Sequence, residues 1–389
     1  MKRHYMNQVF QGPDLIPGLA CMLLMIQAYL IAPLTPSLEK DFNSSLIHMA
    51  VPAFAIPFAI AAAAMVFLKP AVDLRKCILY ALTALCMFAY ILSTATSAAF
   101  FLTIRALTGF GTGIMLPSAL TLALRPYKRK RSLDYMVLII FALATGMTFG
   151  PSLGGWLNGF IGWRYLYLST GALAALLFFI YFHKEGQERW KAIRPVQSKT
   201  PTKSTSNWKR GYSYSFAYLT GVFHSGVFVW ISHYFTTRYE LDEFHIATDL
   251  FIFGLPGFLA SLLIYHYQLD KKVITILYLS LGLTASGLLV LTGNLPLWLA
   301  ECALGVMSIG FGCSQPLFIG ILKLPAAHSS PMEAIAKGTG ILFAGYGSGP
   351  LMMIGLLDIN LDVAMFFLIF LILLLAYISR RVWIKTTLK

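Results

Sequence analysis

The sequence predicts an all-α integral membrane protein whose twelve transmembrane helices form two six-helix pseudo-repeats. The first observation behind this prediction is composition: 58% of the 389 residues are hydrophobic, 12% are charged, and the mean hydropathy is +0.71. Soluble domains contain about 25% charged residues, so the composition excludes an ordinary soluble domain. Apolar runs of about 18 or more residues can cross a hydrocarbon core ~30 Å thick, and the chain holds twelve such runs.

The second observation is that basic residues mark alternate loops. Of the 30 Lys and Arg residues, 26 lie on one side of the predicted membrane; Lys40, Arg164 and Arg238 lie on the other side, and Arg105 lies within a span. Because an excess of Lys and Arg marks cytoplasmic loops, both termini are predicted to be cytoplasmic. The net charge of +14 then indicates contact with anionic lipid and no nucleic-acid partner.

The third observation is a stretch rich in glycine and proline that occurs twice. Residues 146–155 read Gly-Met-Thr-Phe-Gly-Pro-Ser-Leu-Gly-Gly, and residues 345–350 repeat the Gly-x-x-x-Gly-Pro spacing 199 residues later. Small residues at this spacing let two helix backbones approach closely in a membrane, where neighbouring helices also tolerate proline. The residues predicted to act in helix packing and gating are Gly146, Gly150, Pro151, Gly154, Gly345, Gly349 and Pro350.

The twelve predicted spans divide into two bundles joined by a linker. The spans cover about residues 17–34, 47–68, 77–95, 98–124, 134–161, 165–182, 212–235, 246–267, 273–292, 296–322, 335–357 and 362–379. Residues 184–211 hold eight basic residues with Ser, Thr and Pro and almost no aliphatic residues, so they cannot bury a core and are predicted to be a cytoplasmic linker. The N-terminal bundle is therefore residues 1–183, and the C-terminal bundle is residues 212–389.

Two further correspondences support a duplication. The turn that contains Asp73 and Arg75 matches residues 270–272, and Arg105-x-x-x-Gly109 matches Glu301-x-x-x-Gly305. All offsets lie between 196 and 199 residues, so one duplication explains them. Two repeats of six spans have the same orientation, which predicts a substrate site between the halves.

These motifs resemble the twelve-helix drug:proton antiporter branch of the major facilitator superfamily over nearly the whole chain. The segments that carry the resemblance are residues 146–155, 105–113, 36–42 and 163–165. The resemblance implies a major facilitator fold, a gating role for the turn with Asp73 and Arg75, and a cavity lined by the fourth and tenth spans. Two departures stand out: Lys69 replaces a glycine of that turn, and Gln27 stands where some relatives carry an acid.

Three residues within the spans are the candidates for substrate binding and proton coupling. Arg105 is interpreted as a cavity residue that binds an anionic substrate group or a carboxylate, the alternative being a structural Arg that reaches the membrane surface. Glu301 is the candidate coupling carboxylate, the alternative being an interfacial acid in contact with water. Gln27 cannot carry a proton, so coupling would use Glu301 or, failing it, Asp249, His224 or His233.

The function predicted from these features is proton-coupled export of small, amphipathic organic compounds such as drugs by alternating access. The alternatives are a transporter specific for a metabolite or siderophore, and a transporter-like sensor that does not transport. No Walker loop, metal-ligand cluster or nucleophile elbow occurs in the sequence, so no enzyme activity, cofactor or metal is expected. The partners expected are the substrate, protons and lipid, for a monomer in the plasma membrane, specifically a bacterial inner membrane.

Overall fold

The computed structural model describes residues 15–67, 73–123, 129–187, 207–266, 273–322 and 331–383, and within these ranges no β-strand occurs. The N-terminal helices are α1 (Leu15–Tyr29, continued by Ile31–Phe42), α2 (Ala50–Ala64), α3 (Leu74–Ser93), α4 (Ala98–Thr112, continued by Met115–Ala123), and α5 and α6, which share the stretch Arg129–Gln187. The C-terminal helices are α7 (Asn207–Tyr239), α8 (Glu243–His266), α9 (Val273–Val290), α10 (Leu297–Leu322), α11 (Pro331–Leu357) and α12 (Leu361–Trp383).

The apolar helices agree with the predicted membrane fold. Nine described helical stretches are long and apolar enough to cross a membrane, or ten when the two bent segments of α1 count as one span. One of the nine, Leu138–His183, is 46 residues long and contains two predicted spans, while α9 contributes a shorter apolar helix, Thr275–Val290. The all-helical membrane fold predicted from the sequence is therefore confirmed.

Two helices break where their sequences weaken the backbone ladder. The segments of α1 bend by 43° at Leu30, and Pro33 cannot donate a hydrogen bond to the turn before the bend because it has no backbone N–H. The stretch shared by α5 and α6 is interrupted at Gly162, whose φ of 77° lies in the left-handed region that glycine adopts readily. This break falls between the fifth and sixth predicted spans.

The predicted linker is mostly outside the described residues. Helix α6 continues to Gln187 and α7 begins at Asn207, so both helices extend into the range assigned to the linker from composition. Residues 188–206 lie outside the described residues, so the division of the chain at residues 183 and 212 stays a prediction.

The two halves repeat the same helix packing at an offset of 199 residues. In the N-terminal half, a Cβ atom at Gly150 of α5 would lie 3.0 Å from the Cα atom of Ile26 in α1. In the C-terminal half, Gly349 of α11 lies against Ser225 of α7, and each of these residues is 199 positions after its counterpart. The recurrent glycine motif thus brings equivalent helices together within each half.

The pairs α2–α4 and α8–α10 follow the same offset. Gly109 of α4 lies against the carbonyl oxygen of Phe54, and Ser308 of α10, 199 residues later, donates a hydrogen bond to the carbonyl oxygen of Phe253. The structural counterpart of Arg105 is therefore Leu304, one turn away from the Glu301 that the motif comparison favoured. The predicted match of Arg105 to Glu301 is wrong because Gly305, unlike Gly109, has open space beside it and makes no close helix contact.

The halves meet along two helix pairs, α2 with α11 and α5 with α8. Gly347 of α11 lies against Ile56 of α2, and a Cβ atom at Gly254 of α8 would lie 2.8 Å from the side chain of Thr148 in α5. Most of each apolar core comes from one half, the C-terminal one being built around aromatic residues of α7 such as Trp230, while Phe343 and Tyr346 of α11 join the core of the N-terminal half. We call one end of the bundle the odd-turn face; it carries the turns after α1, α3, α5, α7, α9 and α11.

Candidate functional site

Arg105 is fully buried inside the N-terminal half, where backbone carbonyls bind its guanidinium group. Its Nη1 atom donates to the carbonyl oxygen of Gln27 at 3.1 Å, Nη2 to that of Ala28 at 3.3 Å, and Nε to that of Ala50 at 3.4 Å. The guanidinium carbon also lies 4.8 Å from the ring centre of Phe54. The carbonyls of Gln27 and Ala28 belong to the turn just before the bend in α1, so Arg105 holds that bend in place.

This placement differs from the predicted cavity position of Arg105. Among the described residues its polar contacts are these three carbonyls and no carboxylate, so it forms no ion pair with Glu301. A buried charge is costly unless hydrogen bonds compensate for its lost hydration, and the three carbonyl oxygens supply those bonds. The sequence pattern identified a buried arginine but could not show that its partner was a helix backbone.

Gln27 is also buried in the N-terminal half, with a relative exposure of 0%. Neither its Nε2 nor its Oε1 atom has a hydrogen-bond partner among the described residues. An unpaired buried amide costs about 1–3 kcal/mol, so its side chain marks a site of unsatisfied polarity on α1. Its backbone, in contrast, is satisfied through Arg105.

Two acidic side chains lie on neighbouring helices of the C-terminal half, Asp249 on α8 and Glu301 on α10. Asp249 is 1% exposed, and its Oδ2 atom has no hydrogen-bond partner among the described residues. Glu301 is half-buried in the second turn of α10 and interacts electrostatically with Asp249. Glu301 is the coupling carboxylate predicted from the sequence, because Asp249 lies near the start of its predicted span. In the fold, however, Asp249 is the more deeply buried acid.

An aromatic cluster joins the two halves near the middle of the helices. Tyr29 of α1 contacts His224, Phe228 and Tyr346 of the C-terminal half, with ring centres 5.7, 5.4 and 6.2 Å apart. Both ring nitrogens of His224 are buried without a partner among the described residues. Such a cluster offers flat apolar faces with a few polar groups, as expected where an organic compound binds.

Polar contacts join the halves at the odd-turn face. The Oε1 atom of Glu243 accepts a hydrogen bond from the backbone N–H of Ser37 at 2.6 Å, and its Oε2 atom accepts one from Nδ2 of Asn158 at 2.8 Å. One turn deeper, the indole N–H of Trp156 donates to the hydroxyl oxygen of Thr248 at 3.0 Å. We call the Ser37, Asn158 and Glu243 contacts the odd-turn latch. Sequence motifs do not predict this latch, because Ser37, Asn158 and Glu243 lie on three separate helices.

The predicted packing glycines lie within the halves and not between them. Gly146, Gly150 and Gly154 lie against α1, and Gly345 and Gly349 lie against α7. Pro151 and Pro350 follow Gly150 and Gly349 inside their helices. The glycines that contact the opposite half are Gly155, Gly254, Gly340 and Gly347. Of these, only Gly155 and Gly347 fall inside the repeated stretches, so the motif alone did not separate the two kinds of contact.

The turn before α3 is described in part. Asp73 caps this helix, because its Oδ1 atom accepts a hydrogen bond from the backbone N–H of Arg75 at 3.1 Å. Lys69 and residues 270–272, which were compared in the predicted gating turns, lie outside the described residues. Among the residues that are described, no group of three or more His, Cys, Asp or Glu side chains is arranged to hold a metal ion.

Comparison with known proteins places this geometry in a family. The multidrug resistance protein B homolog of Mycobacterium tuberculosis is 35% identical over 81 residues, and the match spans 19% of this chain but only 15% of that protein. The human organic anion transporter MFSD10 (TETRAN) shares the fold with a TM-score of 0.74 at 15% identity, over 95% of this chain and 100% of that chain.

A second solved structure has the same fold. A bacterial homolog of the human lysosomal transporter Spinster, in an inward-facing and unoccupied conformation, aligns with a TM-score of 0.67 at 13% identity, over 96% of this chain and 97% of that chain. The sequence profile of the Major Facilitator Superfamily matches residues 18–353. The chain is therefore a multi-pass membrane transporter and not an enzyme, and it belongs to the Major Facilitator Superfamily.

Proposed function

We propose that this transporter is a proton-coupled exporter of small, amphipathic organic compounds. The observation that carries the proposal is the buried Asp249 with its unpartnered oxygen beside Glu301. Ionisable side chains within membrane spans are costly and mark proton or substrate pathways. Protonation of Asp249 removes a buried charge, one oxygen of which has no hydrogen-bond partner among the described residues. Proton binding and release by Asp249 then drives the cycle.

The substrate class is inferred from the cluster around Tyr29 and His224. Rings from both halves surround a histidine whose nitrogens lack partners, which suits an organic compound with an apolar body and a polar group. The partial similarity to a multidrug resistance protein supports the same class. A specific anionic metabolite is less well supported, because the guanidinium of Arg105 is occupied by carbonyl groups.

The cycle follows from the two interfaces. When both halves close at the odd-turn face, Glu243 joins α1, α5 and α8. Proton binding to Asp249 from that face removes a buried charge from α8 and favours opening, which releases the substrate. Proton loss on the opposite side restores the charge and favours substrate binding, so the two ligands exchange across the membrane.

The test uses purified protein in proteoliposomes with an imposed pH gradient and radiolabelled tetraphenylphosphonium as the probe. We expect uphill movement of the probe opposite to the proton gradient, and its loss when an ionophore collapses the gradient. The neighbouring exposed residue Cys302 supplies a control, since Cys302→Ser should transport at the wild-type rate. Wild-type transport that ignores the pH gradient would contradict the proposal.

The orientation in the plasma membrane is part of the proposal. If both termini and the linker are cytoplasmic, a cysteine introduced at Ser204 should be protected from an impermeant thiol reagent added to intact cells. A cysteine introduced at Glu240, which lies at the exposed odd-turn face, should react. Labelling in the opposite pattern would reverse the topology and therefore the direction of proton-driven transport.

A further inference from the structure

A ladder of titratable side chains runs along one side of α8 from the odd-turn face into the C-terminal half. Asp242 directly precedes the helix, His245 lies in its first turn, and Asp249 follows one turn later. Residues four apart on a helix are neighbours, with about 5–6 Å between their Cβ atoms. The exposed His245 therefore lies next to the buried Asp249.

The outer two members of the ladder are bonded to each other. The Nδ1 atom of His245 lies 2.6 Å from Oδ1 of Asp242, and the backbone N–H of His245 donates to the same oxygen at 2.9 Å. The backbone N–H and then the ring of His245 lower the pKa of the Asp242 carboxyl below its ordinary value. Asp242 thus stays ionised, fixes the ring orientation, and leaves Nε2 as the nitrogen for proton exchange with water.

The inner member lacks a comparable partner. Oδ2 of Asp249 has no hydrogen bond among the described residues, although both His245 and Glu301 interact with Asp249 electrostatically. Helix α5, which packs on α8 here, presents Trp156 and Asn158, and neither titrates in the physiological range. A group that must gain and lose protons needs a route to solvent, and His245, one turn nearer the odd-turn face, is an exposed titratable side chain on the same side of α8.

Charged groups on the other neighbouring elements have partners of their own. At the end of α7, Arg238 binds the side chain of Asn294. At the end of α1, Glu39 lies 3.6 Å from His48, and Asp41 pairs with Arg164 at 3.2 Å. Within the part of the chain that the structure describes, the charged groups that interact electrostatically with Asp249 are Glu301 and His245.

We infer that His245 passes protons between the solvent at the odd-turn face and the carboxylate of Asp249, an inference that rests on the proposed proton coupling. In the inward step, Nε2 of His245 takes a proton from water and the ring becomes an imidazolium. The imidazolium then gives the proton on Nε2 to the carboxylate of Asp249 while Nδ1 keeps its contact with Asp242, which leaves a neutral imidazole and a neutral carboxylic acid. The reverse sequence returns the proton to the same face.

Helix capping explains part of this arrangement but not all of it. Asp242 accepts the backbone N–H of the third residue of α8, as capping side chains do, and such a cap stabilises the start of a helix. Capping does not require an imidazole at residue 245, nor does it account for an unpartnered carboxylate one turn deeper. The two roles are separable, because capping affects stability while proton transfer affects a rate.

The experiment compares His245→Ala with the wild type in proteoliposomes that transport tetraphenylphosphonium. Two rates are measured: transport driven by a pH gradient, and exchange of labelled for unlabelled probe at equal pH, which needs no net proton movement. We expect His245→Ala to slow gradient-driven transport on the order of tenfold or more while exchange falls much less. Added imidazole should restore the driven rate, with wild-type protein in imidazole as the reference for gradient leakage.

The matched control is His48→Ala, which removes another exposed histidine from the odd-turn face and should not alter the driven rate. A wild-type driven rate in His245→Ala would overturn the inference. Equal losses of driven transport and exchange without rescue by imidazole would also overturn it, since they indicate a structural role. Failure of the proposed function itself is recognised separately, because wild-type transport would then show no dependence on the pH gradient.

Discussion

The two halves share one packing scheme, but the N-terminal half buries a positive charge on α4, whereas the C-terminal half buries a negative charge on α8, the helix equivalent to α2. In the N-terminal half, Arg105 of α4 reaches the carbonyl oxygen of Ala50 in α2. At an offset of 199 residues, Leu304 takes the place of Arg105 and Asp249 takes the place of Ala50. The arginine is bound by three carbonyls, whereas one oxygen of the aspartate lacks a partner. The satisfied charge fits a structural role, and the unsatisfied one fits a role in coupling.

The first prediction replaces Arg105 by leucine, the residue at the equivalent position, Leu304, of the C-terminal half. Arg105→Leu should lower the free energy of unfolding by about 3 kcal/mol or more, because hydrogen bonds to a charged group contribute about 1.5–3 kcal/mol each and three carbonyls lose theirs. Thermal unfolding of the purified protein in detergent measures the loss. The control is Arg164→Leu, which removes an exposed ion pair with Asp41 and a hydrogen bond to the carbonyl oxygen of Ala95 and should cost about 1–2 kcal/mol. Equal stabilities of the two variants would contradict a structural role for Arg105.

The second prediction compares glycines within the halves. Gly150→Leu and Gly349→Leu should each destabilise the protein by about 1–3 kcal/mol through overpacking, because backbone atoms of α1 and α7 lie against these positions. Transport should fall further than abundance, since helices that are pushed apart also shift the residues facing the substrate. Gly305→Leu, at a glycine with open space beside it, should leave the protein intact. A harmful Gly305→Leu would restore the correspondence between Gly109 and Gly305.

The third prediction concerns a glycine between the halves. A Cβ atom at Gly155 would lie 2.9 Å from the carbonyl oxygen of Glu243 in α8. Gly155→Leu should therefore hold the halves apart at the odd-turn face and reduce transport while each half keeps its own core. Transport in proteoliposomes and abundance in membranes are measured side by side with Gly150→Leu. Similar ratios of transport to abundance in both variants would remove the distinction between the two kinds of contact.

The fourth prediction addresses the odd-turn latch. Asn158→Ala removes one hydrogen bond to Glu243 and should shift the balance between closed and open states by about 1 kcal/mol. Spin labels at Asn43 and Glu240, both exposed at this face and in opposite halves, report the change as a larger fraction of long distances. An unchanged distance distribution would mean that the latch does not hold this face closed.

The fold of this chain is predictable from its sequence, and buried polar side chains are more predictable than the groups to which they bind. Twelve spans follow from hydropathy because each helix must cross a layer of fixed thickness. The offset of 199 residues follows from the Gly-Pro motif. The match of Arg105 to Glu301 uses an offset of 196 residues and is wrong, because a shared glycine spacing does not indicate which helix lies against the glycine. The partners of Arg105 were invisible because a backbone carbonyl has no sequence signature. Asp249 was undervalued because the end of a helix cannot be placed within a turn from hydropathy alone.

The direct test of the contrast between the halves is proton release on substrate binding. Purified protein in weakly buffered detergent solution receives tetraphenylphosphonium, and a pH-sensitive dye counts the protons released. The wild type should release roughly one proton per bound probe, because Asp249, the proposed carrier, binds a single proton. Asp249→Asn should bind the probe and release none, whereas Arg164→Leu should match the wild type. Wild-type proton release by Asp249→Asn would show that the unpartnered carboxylate is not the coupling group.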